Sequence, residues 1–149
     1  MKTAAHWRRC MLILDTNHYS EIERRSRPGQ LLEERLRAAE DEAFITIITS
    51  EEVLKGWMAV LQPHRHQDHG VRAYADFHHS LDGFRDWFIL PWSEDSAAIY
   101  ARLKGSRLHV GTKDLCIASI ALEYEATILT RNIADFAKVS GLKVENWLD

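Results

Sequence analysis

Short apolar runs alternate with stretches of helical periodicity along this chain. Residues 11–14, 44–48, 88–90 and 127–130 are apolar or β-branched runs of strand length, and a last short strand is predicted near residues 143–145. Runs of this length bounded by polar residues are typical of buried strands in a parallel sheet. The sequence therefore predicts five strands.

The segments between these runs repeat apolar residues at helical spacing. Helices are predicted for residues 16–25, 31–39, 49–62, 73–84, 93–103, 114–122 and 134–139. Pro28 and Gly29 are expected to break the chain between the first two helices, and Thr49 and Ser93 to begin helices. Strands that alternate with helices indicate an α/β fold, a three-layer α/β/α domain with a mainly parallel central sheet.

The composition is that of one soluble domain. The chain has 149 residues, of which 46% are hydrophobic and 28% are charged, and this length can form a real core without disulfides. No run is long enough to span a membrane, and the two cysteines, Cys10 and Cys116, have no metal-binding spacing. We therefore expect a cytoplasmic protein.

Four carboxylates occur where the hydrophobic period changes. Asp15 and Asp135 follow predicted strands, Glu52 lies one helical turn beyond a strand, and Asp114 opens a predicted helix. The carboxyl ends of parallel strands meet at one edge of a sheet, where such proteins bind ligands. Clustered carboxylates repel one another unless a cation lies among them, and oxygen ligands favour Mg²⁺ or Mn²⁺ over Zn²⁺. The pattern predicts a divalent-metal site suited to phosphodiester hydrolysis.

The net charge of −3 does not oppose a nucleic-acid substrate. Setting these four acids aside as neutralised by metal gives −3 + 4 = +1. A basic rim around an acidic, metal-filled centre suits a polyanion.

Each acid also has a purely structural interpretation. Asp15 could cap the helix that follows it, and Thr49 with Glu52 forms a capping-box pattern. Asp114 could be a favourable first-turn charge, and Asn132 with Asp135 could cap a short turn.

The histidine-rich stretch and the tryptophans are given structural interpretations. His64, His66 and His69 lie in a polar stretch that predicts a loop, where a metal site is a compositional hint only. The tryptophans at 57, 87, 92 and 147 are assigned to core or dimer packing, although they could stack on bases.

Four motifs in order resemble those of PIN-domain nucleases. They are Leu-Asp-Thr-Asn at 14–17, Ile-Thr-Ile-Ile-Thr-Ser-Glu-Glu-Val-Leu-Lys-Gly at 45–56, Gly-Thr-Lys-Asp-Leu-Cys-Ile-Ala-Ser at 111–119, and Ile-Leu-Thr-Arg-Asn-Ile-Ala-Asp-Phe at 128–136. The second motif aligns its acid with Glu52 rather than Glu51, because Gly56 falls four residues later. The compact size and the ending at 141–147 are most similar to the VapC toxins of bacterial toxin–antitoxin pairs.

The resemblance implies a Mg²⁺- or Mn²⁺-dependent endoribonuclease. It also implies a homodimer held inactive by a VapB-type antitoxin, which alone would contact DNA. The implied catalytic residues are Asp15, Glu52, Asp114 and Asp135, and the implied metal ligands are Asp15, Glu52, Asp114 and Asn132. Thr16, Asn17 and Thr130 would support these ligands or the scissile phosphate, and Arg24, Arg25, Lys113 and Arg131 would contact RNA.

Two departures from the family pattern leave alternatives open. Many PIN domains have an aspartate where this chain has Asn132, so Asn132 or Asp135 could complete the site.

Two other functions stay open. The alternative is a catalytically weak PIN-like module that acts with an antitoxin as a DNA-binding regulator, and the third is a DNA-directed flap or repair nuclease. The second departure from the family pattern is that residues 1–10 precede its usual start. They are predicted to be a flexible N-terminal extension before a domain at 11–149, and Met11 could be the initiator. The RNA target and the antitoxin are not specified by the sequence.

Overall fold

The computed structural model describes residues 9–64 and 68–149. Most of the predicted extension lies outside these residues, so its flexibility stays a prediction. Of the histidine-rich stretch, His66 also lies outside them, whereas His69 is exposed in a short 3₁₀ turn at Asp68–Gly70. No helix in the described ranges is long and apolar enough to cross a membrane.

Among the described residues, five strands form one parallel sheet, and each lies within about two residues of its predicted position. They are β1 (Met11–Leu14), β2 (Glu42–Thr46), β3 (Phe88–Leu90), β4 (Thr127–Leu129) and β5 (Lys143–Glu145), in the order β3-β2-β1-β4-β5. The chain builds outward from β1 to β3 and then returns to place β4 on the other side of β1. This reversal of strand order creates a crevice beyond the carboxyl ends of β1 and β4.

In the part of the chain that the structure describes, seven α-helices connect the strands. They are α1 (Thr16–Glu23), α2 (Arg27–Ala39), α3 (Ile47–His64), α4 (Val71–Gly83), α5 (Glu94–Gly105), α6 (Thr112–Glu123) and α7 (Ile133–Phe136), with a 3₁₀ turn at Phe84–Asp86 after α4.

Helices cover both faces of the sheet. Successive side chains of β1 alternate between the faces: Leu12 and Leu14 pack in one apolar cluster with α1 and α2, and Ile13 packs in another with α5 and α6. The predicted three-layer α/β/α architecture is therefore confirmed.

The predicted boundary between the second strand and its helix was wrong. β2 ends at Thr46 and α3 begins at Ile47, so Thr49 lies inside the helix rather than at its start. The Thr46 hydroxyl accepts the Thr49 N–H at 3.3 Å and takes the capping role. Glu52 therefore does not complete a capping box with Thr49. A run of β-branched residues cannot show this boundary, because Ile47 and Ile48 suit either conformation.

The predicted break at Pro28–Gly29 was also wrong. Both residues lie in the first turn of α2, where Ser26 caps the helix by accepting the Gly29 N–H at 3.0 Å. Proline fits there because the N–H that it lacks would have no helical partner. The chain turns earlier, at Arg25, whose φ is 51°.

Candidate functional site

The predicted acids lie around the crevice at the carboxyl edge of the sheet. Asp15 follows β1 directly, and its N–H donates to the Leu129 carbonyl at the end of β4, at 3.0 Å. Asn132 lies three residues beyond β4, and Glu52 lies in α3, which follows β2. Parallel pairing thus brings segments distant in sequence to one end of the sheet.

Asp15 has both a structural and a potential chemical role. Its Oδ1 accepts the His18 N–H at 2.9 Å and caps α1, as the structural interpretation predicted. The residue is only 6% exposed. A charge so buried needs compensation from neighbouring donors or a cation.

Glu52 faces the site, whereas Glu51 does not. The Thr16 hydroxyl donates to Glu52 Oε1 at 2.9 Å and lies 3.2 Å from the Thr49 hydroxyl. Glu51 instead pairs with Lys55 and Lys113, and hydrogen bonds from these lysines, Lys113 first, lower the pKa of Glu51 to about 2.

Asn132 bridges two acids through its amide nitrogen. The Nδ2 donates to Asp114 Oδ2 and to Asp135 Oδ2, each at 3.1 Å. The Asn132 backbone N–H donates to the buried Thr130 hydroxyl at 2.9 Å, which fixes the start of the turn. The nitrogen faces the acids because an amide oxygen there would be repelled by both carboxylates.

The acids act on one another electrostatically. Burial raises the pKa of Asp114, the hydrogen bond from Asn132 opposes that rise, and the negative charges of Asp15, Glu52 and Asp135 raise the pKa further. The pKa of Asp135 is lowered, chiefly by the hydrogen bond from Lys138, whose Nζ lies 2.9 Å from Oδ1. The site therefore resists the ionisation of Asp114.

The donor chemistry fits a hard divalent cation. Carboxylate oxygens predominate at this edge, and Mg²⁺ and Mn²⁺ prefer such ligands. Within residues 9–64 and 68–149, no group of three or more histidine, cysteine, aspartate or glutamate side chains is gathered closely enough to hold a metal without movement. The hydrogen bonds from Thr16 and Asn132 presently occupy oxygens of three of the acids, so ligation would exchange these bonds for metal bonds.

A cavity of about 550 Å³ adjoins the acids. It lies between α1, α3 and α4, and Thr16 and Glu52 form part of its wall. Trp57 lines it from α3, with its ring centroid 6.0 Å from that of Phe77, and Arg24 lines it from the end of α1. The cavity offers apolar and aromatic surface and one arginine beside the acidic edge, and Glu23 and Asp76 also line it.

The other predicted contact residues differ in their surroundings. Asn17 is exposed, and Arg25 lines a second cavity, not the one beside Glu52. Arg131 is held by Asp149, with Nε 3.2 Å from Oδ2, and lies 3.7 Å from Glu21.

Two further residues at the site were missed by the sequence reasoning. His18 is fully buried beside Asp15, and Lys138 donates to Asp135 and to the His109 carbonyl. Lys138 follows Asp135 by three residues, a helical neighbour spacing that could have indicated the pair. Asp15 and His18 have the same spacing, but the contact of His18 with Trp147 in the C-terminal segment had no local signal.

Comparison with known proteins identifies the family. The PIN domain family model matches residues 12–142. This chain belongs to the PIN domain family. Ribonuclease VapC of Rickettsia bellii is 30% identical over 108 residues, which cover 70% of this chain and 75% of that protein.

Two further proteins are similar to parts or to most of this chain. Ribonuclease VapC1 of Rickettsia felis is 37% identical over 60 residues, and the match spans only 45% of that relative's length. The solved structure of VapBC2 from Rickettsia felis, bound to a DNA fragment from its promoter, superposes with a TM-score of 0.70. It is 23% identical and covers 92% of this chain and 98% of that one, so the PIN fold extends over nearly the whole chain.

Proposed function

We propose that this PIN domain is the toxin of a toxin–antitoxin pair, an endoribonuclease that hydrolyses RNA with Mg²⁺ or Mn²⁺. It would act in the cytoplasm as a homodimer inhibited by a VapB-type antitoxin. Contact with DNA would occur only through that antitoxin.

The acidic edge of the sheet is the observation that carries this proposal. Asp114 lies close enough to Asp15, Glu52 and Asp135 for their charges to disfavour its ionised form. Four acids from separate segments would not be held together for stability, because their mutual repulsion costs free energy. A cation that neutralises them on binding gives a reason for the arrangement.

Each residue has a distinct part in the proposed mechanism. Asp15, Glu52 and Asp114 would hold the metal, which when bound would acidify the attacking water and offset charge on the phosphate. Thr16 would orient Glu52 through its hydroxyl. Asn132, fixed by Thr130, would keep Asp114 and Asp135 at a set separation.

The cavity beside Glu52 suits the nucleotides next to the scissile bond. Arg24 would contact a phosphate, and Trp57 would offer a surface for a base. Lys113 is already paired with the carboxylate of Glu51, and Arg131 is already paired with that of Asp149. We therefore assign the larger electrostatic contribution to Arg24.

The proposed partners rest on the relatives. The relatives are named ribonucleases VapC, and the solved neighbour is a VapBC assembly bound to promoter DNA. These names support an antitoxin partner for this chain and DNA contact by the complex.

Cleavage by matched variants tests the proposal. Asp114→Asn and Asp15→Asn should reduce Mg²⁺-dependent cleavage of structured RNA by about 100-fold or more, because each removes a charged metal ligand. Glu51→Gln is the control, since it makes the same type of change at a neighbouring acid outside the site. Circular dichroism would verify that each variant folds.

Two results would contradict the enzyme. One is full activity of Asp15→Asn, and the other is equal loss in Glu51→Gln. Expression in cells separates the enzyme from a binding module: growth arrest that Asp114→Asn relieves supports catalysis, and no arrest with either form favours the module. Comparing cleavage of RNA with cleavage of single-stranded DNA under Mg²⁺ separates the DNA-directed nuclease.

A further inference from the structure

The His18 side chain is fully buried between Asp15 and the C-terminal segment. Its Nδ1 lies 3.3 Å from Asp15 Oδ1. Its Nε2 accepts the backbone N–H of Trp147 at 3.3 Å, across 129 positions of sequence. The ring therefore connects the first acid of the site with the end of the chain.

The Trp147 contact determines the tautomer of the neutral ring. A backbone N–H can only donate, so Nε2 must be the unprotonated nitrogen. The ring proton then lies on Nδ1, which faces Asp15.

The contact between Nδ1 and Asp15 is close but incomplete. The two atoms are within attractive range, yet the geometry is not that of a formed hydrogen bond, and Nδ1 has no other partner among the described residues. A buried donor without an acceptor is unfavourable. A small rotation of the Asp15 carboxylate would complete the bond.

We propose that His18 is a positioning residue that holds Asp15 Oδ1 and so presents Oδ2 to the catalytic metal. Oδ1 already accepts the His18 backbone N–H, and among the described residues Oδ2 accepts no hydrogen bond. The inference rests on the proposed function, because it requires Asp15 to be a metal ligand. Donors that orient a ligating carboxylate strengthen metal binding in other proteins.

The C-terminal segment keeps the acceptor side of His18 in place. The Arg35 guanidinium lies 4.1 Å from the centre of the Trp147 ring, and Trp147 Nε1 donates to Glu145 at 2.6 Å. These contacts fix the Trp147 N–H that selects the tautomer. The tail thus reaches Asp15 through His18.

Two substitutions of His18 test the roles of Nδ1 and Nε2 separately. In His18→Asn, the amide can place a donor at the Nδ1 position, whereas in His18→Gln, the amide oxygen can replace Nε2 as the acceptor for Trp147. Mn²⁺ binding to the full chain would be measured by calorimetry. His18→Gln should weaken Mn²⁺ affinity by about 10-fold or more, and His18→Asn should stay nearer to wild type although both lose stability.

A control variant separates failure of the His18 positioning role from failure of the proposed metal-dependent function. Asp15→Asn should weaken Mn²⁺ binding strongly; unchanged binding would overturn both proposals. If Asp15→Asn weakens binding but His18→Gln binds as wild type, or loses no more affinity than His18→Asn, only the positioning role is overturned.

A measurement on the unaltered protein covers the case in which the variants do not fold. Nitrogen-15 NMR at about pH 8, above the ordinary histidine pKa of about 6.5, should show His18 as the neutral Nδ1–H tautomer. Adding Mg²⁺ should perturb the Nδ1 signal more than the Nε2 signal. An Nε2–H tautomer, or no response to Mg²⁺, would overturn the positioning role.

Discussion

Asn132→Asp would test how the site balances its charges. In the metal-free protein, the Asn132 amide donates to Asp114 and Asp135, each at 3.1 Å. An ionised aspartate at this position has no proton to donate and adds a negative charge. The substitution should therefore destabilise the metal-free protein and make its stability depend strongly on a divalent cation.

The magnitude follows from the lost hydrogen bond to Asp114, which is partly buried. A buried hydrogen bond to a charged group contributes about 1.5–3 kcal/mol, and partial exposure reduces this, so we expect a loss of about 1–3 kcal/mol. The bond to Asp135 is exposed to solvent and is not added to this sum. In a domain of this size each kcal/mol lowers the Tm by about 2–4 °C, so the Tm should fall by roughly 2–12 °C.

Urea and thermal unfolding at about pH 8, with and without Mg²⁺, would measure the effect. Mg²⁺ at 100 times its Kd stabilises a protein by about 2.7 kcal/mol, and it should restore more stability to Asn132→Asp than it gives wild type. Asn146→Asp is the matched control, because Asn146 also donates to an aspartate, Asp149, but at an exposed position. Equal responses of the two variants to Mg²⁺, or an Asn132→Asp variant as stable as wild type without metal, would refute the reasoning.

Three further predictions address pH, packing and RNA contact. Because the pKa of Asp114 is raised, the folded, metal-free protein binds a proton on Asp114 more tightly than the unfolded chain does. The free energy of unfolding should therefore fall as pH rises from the ordinary aspartate range through the raised pKa. Urea titrations at several pH values should show a smaller fall in Asp114→Asn. Gly29→Ala should lower the Tm sharply or prevent folding, because the new Cβ would lie 2.0 Å from the Glu21 carbonyl oxygen. Arg24→Ala should weaken RNA binding by a catalytically inactive variant and reduce the slope of log K against log[salt] by about 0.7, whereas Arg102→Ala, on α5, should change neither.

The hydrophobic pattern by itself determined the fold class. A run such as Met11–Leu14 is apolar on both faces, which is a requirement of a strand covered by helices on both sides. Alternation of such runs with helices then leaves few topologies, since connections between parallel strands are right-handed and short. Asp15, Asp114 and Asp135 were visible for a similar local reason, because each lies near the beginning or end of a strand or helix, whereas Glu52 lies within α3.

Tertiary packing decided how those residues are used. Local spacing could not show that Thr16 contacts Glu52 while lysines from two helices hold Glu51, since both glutamates suit the same helix. It could not show that Ile47 begins α3, because that choice depends on the Thr46 side chain as a cap. Nor could it pair His18 with Trp147, which lie 129 positions apart. Propensity and periodicity act within a few residues, whereas hydrogen bonds, burial and the coupling of charges depend on distance in space, which exists only once the sheet has brought its strands together.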